Sequence, residues 1–215
     1  MKLSSRLTTI CQAIAADQFQ HIWDCCCDHG LLGLQLMADH PNSQVHFVDV
    51  MPHLITEVES RLKSLSQNNW AIHCIDAATL CLNNEKSHLV IIAGVGGDLL
   101  LDMVQAIMGN HSELMKDNRV DFILCPVRKL NKVREGLDKL QLGLVSEQLV
   151  KDNNQFYEVI HVSNRSNKNI NLVGDQMWDS CNEQHLEYRN NMIGHYQKQP
   201  SDQAKYLLAL YQNIN

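Results

Sequence analysis

The sequence lacks the features of a membrane or exported protein. No apolar run approaches the roughly 18 residues that a membrane-spanning helix needs. The first residues also contain no apolar core of signal-peptide length. We therefore predict a cytoplasmic protein without a membrane partner.

Paired cysteines are missing as well, because none of the eight cysteines forms a C-x-x-C pair. Residues 25–27 are three consecutive cysteines, and the others are scattered singly, which does not indicate a disulfide framework. A zinc site built from residues 25–27 with Asp28 and His29 is the alternative. Adjacent strand residues point to opposite faces, however, and no second Cys/His cluster is present to complete a tetrahedral site. We predict reduced thiols and no metal.

A third absence concerns the stretch from residue 21 to residue 37, which reads as a strand, a tight turn and a helix. No G-x-G-x-x-G follows the strand, since Cys26 and Asp28 stand where a dinucleotide site needs glycine and space for a pyrophosphate. A carboxylate in this turn repels phosphate and attracts an ammonium group. Asp49 ends the second predicted strand, where such folds bind ribose hydroxyls. A cofactor with a ribose and a positive centre is indicated, and S-adenosylmethionine has both.

The 215 residues contain five strand–helix units followed by an antiparallel hairpin. This pattern predicts an α/β, Rossmann-like class I methyltransferase fold, with a seven-stranded, mostly parallel sheet whose last strand is antiparallel. A polar linker then precedes two helices, predicted at 176–197 and 201–214 and separated by Pro200. We predict a cofactor-binding domain over residues 1–165 and a C-terminal helical hairpin over residues 166–215, in a monomer.

Two further loops are expected at the same edge of the sheet. The third predicted strand, 70–76, ends at Asp76, beside the expected adenine; capping of a short helix is the alternative for this residue. The fourth strand ends in Ala93-Gly-Val-Gly-Gly97, where the glycines let the backbone pass close to cofactor and substrate; a plain glycine-rich turn before a helix is the alternative.

Charge is distributed unevenly. The chain carries a net charge of −6, but the segment 116–139 is +3. A local basic face on an acidic protein favours a nucleic-acid partner, and a solvated helix face is the alternative.

Five motifs occur in a fixed order: Leu3-Ser-Ser-Arg-Leu7, Asp24-Cys-Cys-Cys-Asp-His-Gly-Leu-Leu32, Ala93-Gly-Val-Gly-Gly97, Cys125-Pro-Val127 and Tyr157-Glu158. They resemble the motifs of the bacterial tRNA (adenine-22-N1)-methyltransferases. That family has Leu-Ser-x-Arg-Leu, Asp-Ile-Gly-Ser-Asp-His-Ala-Tyr-Leu, Ala-Gly-Met-Gly-Gly, Gln-Pro-Asn and Tyr-Glu at the corresponding places, and it also ends in a helical hairpin.

Four positions depart from the family pattern. Cys26 replaces a glycine, Gly30 an alanine, Asp49 a glutamate and Val127 an asparagine. Aspartate keeps the acceptor for the ribose. An amide beside the target base is a natural reader of adenine, and Val127 lacks one.

The resemblance implies S-adenosylmethionine as cofactor, tRNA as partner and adenine N1 at position 22 as the methylated atom. The expected catalytic residues are Asp28, Gly94 and Val95, with Asp28 either stabilising the methylated base or holding the cofactor's ammonium group. The expected cofactor-binding residues are Arg6, Asp24, Cys26, Asp28, His29, Gly30, Asp49, Val50, Met51, Asp76, Ala77, Ala93, Gly94 and Gly96. The expected substrate-binding residues are Pro126, Arg128, Lys129, Lys132 and Arg134.

Two other classes of function stay open at this point. One is a methyltransferase of the same fold that acts on a small molecule or a protein. The other is a non-catalytic domain that binds the cofactor and serves as an interaction module. The basic segment favours tRNA over the first alternative, whereas Val127 and Cys26 favour the second.

Overall fold

The computed structural model describes residues 3–15, 18–84 and 86–214, so the outermost ends of the two predicted domains lie outside it. One seven-stranded sheet has the order β3-β2-β1-β4-β5-β7-β6. Strand β7 is antiparallel to both of its neighbours, and the pairs among β1 to β5 are parallel. The predicted fold class is confirmed. The strands are β1 His21–Cys25, β2 Gln44–Asp49, β3 Trp70–Cys74, β4 His88–Ala93, β5 Val120–Cys125, β6 Gly143–Asp152 and β7 Gln155–Ser163.

Helices cover both faces of the sheet. Ser4 caps the first helix through its hydroxyl, and Pro52 occupies the first turn of the third. The α-helices are α1 Ser5–Gln12, α2 Leu31–Asp39, α3 Pro52–Leu62, α4 Gly97–Asn110, α5 Leu114–Asp117, α6 Leu130–Lys139, α7 Glu183–Gln197 and α8 Asp202–Gln212, and a 3-10 helix spans Ala77–Thr79. Among the helices of the described residues, none has the length and apolar character needed to cross a membrane.

Alternation along the strands separates two layers of the core. On β1, Trp23 packs with residues of β4, β5 and α4, whereas Ile22 packs with residues of β2, α2 and α3. Helix α2 approaches the sheet closely, because a Cβ at Gly33 would lie 2.3 Å from the ring of Phe47. This close contact fixes the direction of α2 and therefore the shape of the turn that precedes it.

The C-terminal pair α7 and α8 packs around its own cluster, which contains Val173, Tyr196, Leu207 and Tyr211. The helical hairpin is confirmed, but its first helix starts later than predicted. Residues 175–177 are not helical, because their backbone N–H groups donate to Oε1 of Glu147 at 2.7, 2.7 and 3.3 Å. The division of the chain at residue 165 stays a prediction.

Candidate active site

A cavity of about 330 Å³ opens at the carboxyl ends of β1 and β4. Its volume lies in the range of small-ligand sites, and parallel α/β sheets bind ligands at this edge. The structure brings together eight of the predicted site residues here: Arg6, Asp24, Cys26, Asp28, His29, Ala93, Gly94 and Val95. Leu7, Cys25, Cys27, Leu31 and Leu32 complete the lining.

The turn after β1 has an unusual backbone. Cys26, Asp28 and Gly30 all have positive φ angles, of 57°, 50° and 69°. Two of them carry side chains, which costs about 1 to 2 kcal/mol each. Backbone hydrogen bonds hold the turn, from Cys27 N–H to the carbonyl of Val48 at 3.1 Å and from Gly30 N–H to that of Cys27 at 2.7 Å. Cys26 therefore has a left-handed backbone conformation, which usually favours glycine, and strain of this kind is typical of ligand sites.

Asp24 is the buried carboxylate of the cavity. The residue is 3% exposed, and its Oδ2 accepts the backbone N–H of Gly33 at 2.9 Å. Burial raises the pKa of Asp24 to about 7, the Gly33 hydrogen bond lowers it, and the charge of Asp49 raises it further. A carboxylate with so little solvation gains strongly from a cationic partner.

Asp28 is placed differently. Its side chain is 71% exposed, and its Oδ1 lies 3.6 Å from Nε2 of His29. It does not cap α2, because Gly30 occupies the N-cap position and no side chain caps the helix. Both aspartates belong to one sequence motif; burial, which only the structure shows, separates them.

Asp49 ends β2 and supports the same turn. Its two carboxylate oxygens accept the backbone N–H groups of Asp28 at 3.2 Å and Met51 at 3.0 Å. Each oxygen keeps a further lone pair for a hydroxyl group. Val50 and Met51 follow as exposed apolar side chains, which suits an aromatic ring.

Asp76 lies between β3 and the 3-10 helix, where its side chain accepts the N–H of Ala78 at 2.9 Å and so caps the 3-10 helix. This is the capping role that the sequence left open as the alternative. Ala77 is buried beneath it.

Arg6 reaches the opposite wall of the cavity from α1. Its guanidinium lies over the ring of Tyr157, 4.9 Å from the ring centre, and faces Gly94. Nε of Arg6 is buried and finds no hydrogen-bond acceptor among the described residues. The backbone N–H of Arg6 donates to Asp152 at 3.4 Å. Sequence reasoning named Arg6 but missed Asp152 and the position of the Tyr157 ring under the guanidinium, because no local pattern connects residues so far apart in the chain.

The loops after β4 and β5 are joined beside the cavity. The N–H of Val127 donates to the carbonyl of Val95 at 3.0 Å. A Cβ at Gly96 would lie 3.0 Å from Nε of Arg128, so this glycine leaves room for the arginine. The side chain of Val127 is 46% exposed although it is apolar.

The predicted basic face is smaller than the sequence indicates. Lys129 and Lys132 both pair with Asp98, the latter at 2.7 Å. No carboxylate of the described residues forms an ion pair with Arg128. Arg128, Lys129 and Lys132 together with Asp98 therefore form a surface of only modest positive charge at the carboxyl end of β5.

Arg134 is a correction to the predicted face. Its side chain is 0% exposed, with Nη1 at 2.7 Å from Glu147 and Nη2 at 2.6 Å from Glu158. The amphipathic pattern of α6 places this arginine on the core side of the helix, where two buried acids neutralise it. It cannot contact a substrate at the surface, so the prediction for this residue is wrong.

The cysteines remain free thiols in the structure, at all eight positions. Burial, the largest cause, raises the pKa of Cys26 to about 11 and that of Cys11 to about 12, with nearby carboxylates adding to both shifts. Such thiols are protonated at neutral pH and are poor nucleophiles. Among the described residues, no group of three or more His, Cys, Asp or Glu side chains is arranged to hold a metal.

The sheet order, the antiparallel β7 and the cavity at the ends of β1 and β4 define a class I, Rossmann-like methyltransferase, a class that uses S-adenosylmethionine as methyl donor. The sequence model described as "Methyltransferase domain" matches residues 3–160. The chain belongs to this family and is an S-adenosylmethionine-dependent methyltransferase.

The individual proteins that resemble this chain share only a small part of its sequence. A protein of Mycoplasma pneumoniae provisionally named a tRNA methyltransferase is 26% identical over 178 residues, which cover 81% of this chain and 78% of the relative. The structure of M. capricolum TrmK in complex with S-adenosyl-homocysteine superposes with a TM-score of 0.74 at 15% identity, covering 99% and 94% of the two chains. The structure of the B. subtilis M1A22 tRNA methyltransferase TrmK superposes with a TM-score of 0.69 at 19% identity, covering 99% of this chain and 95% of the other. These likenesses establish a shared fold.

Proposed function

We propose that this protein transfers a methyl group from S-adenosylmethionine to N1 of an adenine in tRNA, at position 22. The cofactor assignment depends on one observation: the buried carboxylate of Asp24 and the guanidinium of Arg6, whose Nε has no hydrogen-bond acceptor among the described residues, line the same cavity. The substrate assignment is supported by the tRNA methyltransferases that share the fold and by the basic residues beside the cavity.

The two charged groups match the amino-acid end of the cofactor. Asp24 is buried and accepts only one backbone N–H among the described residues, so it suits the ammonium group. Arg6 suits the carboxylate, and the ring of Tyr157, over which the guanidinium lies, helps to hold it in place. Asp28, by contrast, is too exposed to gain much from a buried cation, and we assign it to the mouth of the cavity.

The nucleoside end fits the edge formed by β2 and β3. Asp49 would accept the ribose hydroxyls while its bonds to Asp28 and Met51 fix the carboxylate. The exposed Val50 and Met51 would contact the adenine on one side, and Ala77 with the cap at Asp76 would bound it on the other. His29, Cys26, Gly30, Ala93 and Gly96 contribute through the shape of the two turns.

The reaction places few demands on acid–base groups. When bound, the cofactor supplies an electrophilic methyl group on a sulfonium centre. Adenine N1 attacks with an in-plane lone pair and needs no deprotonation, so the protein must align the base and exclude water. Gly94 and Val95 provide backbone beside that position, and Asp28 at the mouth would stabilise the positive charge that the methylated base acquires.

The tRNA would dock beside the cavity. Arg128, Lys129 and Lys132 would contact phosphates, and Pro126 would shape the loop between them and the cavity. Such contacts position the RNA without reading its sequence. A small-molecule or protein substrate is the second candidate, because Val127 offers no hydrogen-bonding side chain where the resembling family has asparagine.

Incubation of unmodified tRNA with the protein and labelled S-adenosylmethionine, followed by digestion to nucleosides, tests the proposal. We expect labelled 1-methyladenosine, and we expect tRNA with adenine 22 replaced by guanosine to accept no label. Label in a different nucleoside, or in a small molecule but not in tRNA, would contradict the substrate assignment. Failure of S-adenosylhomocysteine to bind in calorimetry would contradict the cofactor assignment separately.

A further inference from the structure

Four histidines and a tryptophan occupy one face of the sheet near β1, β2, β3 and the start of β4. In the described part of the chain, the crossover from β3 to β4 contains a single 3-10 helix, Ala77–Thr79. On the same face, Trp23 also packs with residues of α4. Trp23 stacks on His46 with ring centres 3.7 Å apart, and the flanking imidazoles are His21, His73 and His88.

Three of these imidazoles form a hydrogen-bonded chain. Nδ1 of His21 lies 2.8 Å from Nε2 of His46, and Nδ1 of His46 lies 2.9 Å from Nε2 of His73. The side-chain amide nitrogen of Asn83 lies 3.2 Å from Nε2 of His21. An amide nitrogen only donates, so Nε2 of His21 accepts and Nδ1 carries the proton. The direction of the whole chain follows: Asn83 donates to His21, His21 to His46, and His46 to His73.

The fourth histidine joins the same network. Nε1 of Trp23 donates to Nδ1 of His88 at 3.2 Å, so Nε2 of His88 carries the proton and donates to the backbone carbonyl of Asn83 at 3.1 Å. Each accepting nitrogen in the network already faces an N–H donor. A second proton on any of these four rings would place two hydrogens in one contact and break the hydrogen bond. The network is complete only while all four rings are neutral.

The surroundings favour the neutral rings. Burial is the main cause that lowers the pKa of each ring, to about 3 for His46 and about 4 for His88, and the neighbouring histidines lower it further for these two. The other titratable groups that act on the network are both basic: Lys86, which faces His21 from the loop before β4, and His111, which faces His88 from the end of α4. No carboxylate of the described residues contributes to these shifts, and the one contact that raises a pKa is the hydrogen bond from His88 to the carbonyl of Asn83, which burial outweighs.

We propose that this histidine network is an acid-sensitive latch, which holds the edge strands β2 and β3 to β1 when neutral and releases them when protonated. Asp24 lies near the end of β1, Asp49 ends β2 and Asp76 follows β3, so release would disturb the edge that carries the cavity. The inference depends on the network alone and does not require the proposed substrate.

The tautomers give the first test. In ¹⁵N-histidine NMR of the folded protein at pH 7.5, His21 and His46 should be protonated at Nδ1 and His88 at Nε2. Observation of Nε2 protonation at His21 and His46 would overturn the proposal, because the directed chain would not exist.

The pH dependence of unfolding gives the second test. Each histidine that is neutral when folded and charged when unfolded makes the unfolding equilibrium constant rise about tenfold per pH unit as the pH falls below about 6.5. His46 and His88 alone should give about a 60-fold rise between pH 6 and pH 5, because this interval begins close to the unfolded pKa of about 6.5. The constant is measured by urea denaturation followed by the fluorescence of Trp23, in a background with Trp70→Phe and Trp178→Phe.

Matched variants separate the network from histidines in general. With His46→Gln, the rise of the unfolding equilibrium constant should be smaller by a factor of about ten per pH unit. His53→Gln, at an exposed position of α3, should leave this pH dependence unchanged. If His46→Gln does not fold, His88→Gln takes its place in the same comparison. Equal pH dependence in wild type and both network variants would refute the latch.

Discussion

The buried ion network around Arg134 offers a sharp test of what holds the C-terminal hairpin to the sheet. Nε and Nη2 of Arg134 donate to Glu158 at 2.8 and 2.6 Å, and Nη1 donates to Glu147 at 2.7 Å and to the carbonyl of Asn171 at 3.0 Å. Tyr188 of α7 donates to the other oxygen of Glu158 at 2.7 Å. One arginine of α6 thus connects β6, β7 and the hairpin.

We expect Arg134→Met to destabilise the protein by about 3 to 5 kcal/mol. Methionine keeps most of the apolar volume, but the change leaves two buried carboxylates without their counter-ion, which is the costly way to break a buried ion pair. Glu147 keeps three backbone N–H donors, whereas Glu158 keeps only the hydroxyl of Tyr188 among the described residues. Most of the loss should therefore come from Glu158.

Urea denaturation followed by circular dichroism measures this loss. Arg128→Met, at an exposed position two residues before α6, is the matched control and should change stability by no more than about 0.5 kcal/mol. Adding Glu158→Gln to Arg134→Met should recover part of the loss, because one uncompensated charge disappears. A loss below about 1 kcal/mol for Arg134→Met, or no recovery in the double variant, would refute this account of the network.

Two further predictions concern the cavity and the basic face. In calorimetry, Asp24→Asn should weaken binding of S-adenosylhomocysteine far more than Asp28→Asn does. In wild type, the affinity should fall by up to about tenfold per pH unit below pH 7, because a protonated Asp24 must lose its proton before it can pair with the ammonium group. Equal losses in the two variants, or a pH dependence that Asp24→Asn retains, would contradict the assignment. Arg128→Glu combined with Lys129→Glu should weaken tRNA binding at low salt and reduce the salt slope by about 2, without changing cofactor affinity, whereas Lys139→Glu at the far end of α6 should have little effect. An unchanged salt slope in the double variant would place the tRNA elsewhere.

The sequence alone determined the fold class. Alternating apolar strands, helix patterns and the hairpin before residue 163 predict the seven-stranded sheet, because these signals are local and repeat along the chain. The motifs at residues 24–32 and 93–97 likewise located the cavity, since the carboxyl ends of parallel strands meet at one edge. The monomeric state, the cytoplasmic location and the site roles stay predictions.

The tertiary structure decided which charged residues are accessible. Asp24 and Asp28 belong to one motif, yet one is buried and the other is exposed, because Cys26 and Asp28 turn the chain out of the strand. Arg134 lies among basic residues in the sequence, but acids from β6 and β7, which are distant along the chain, surround it in the fold.

The histidine network shows the same limit of sequence reasoning. His21, His46, His73 and His88 lie on four different strands and follow no common motif, so only strand register brings them together. Local patterns determine helices, strands and turns. Burial, ion pairing and protonation depend on contacts between residues far apart in the chain, and these exist only once the sheet has formed.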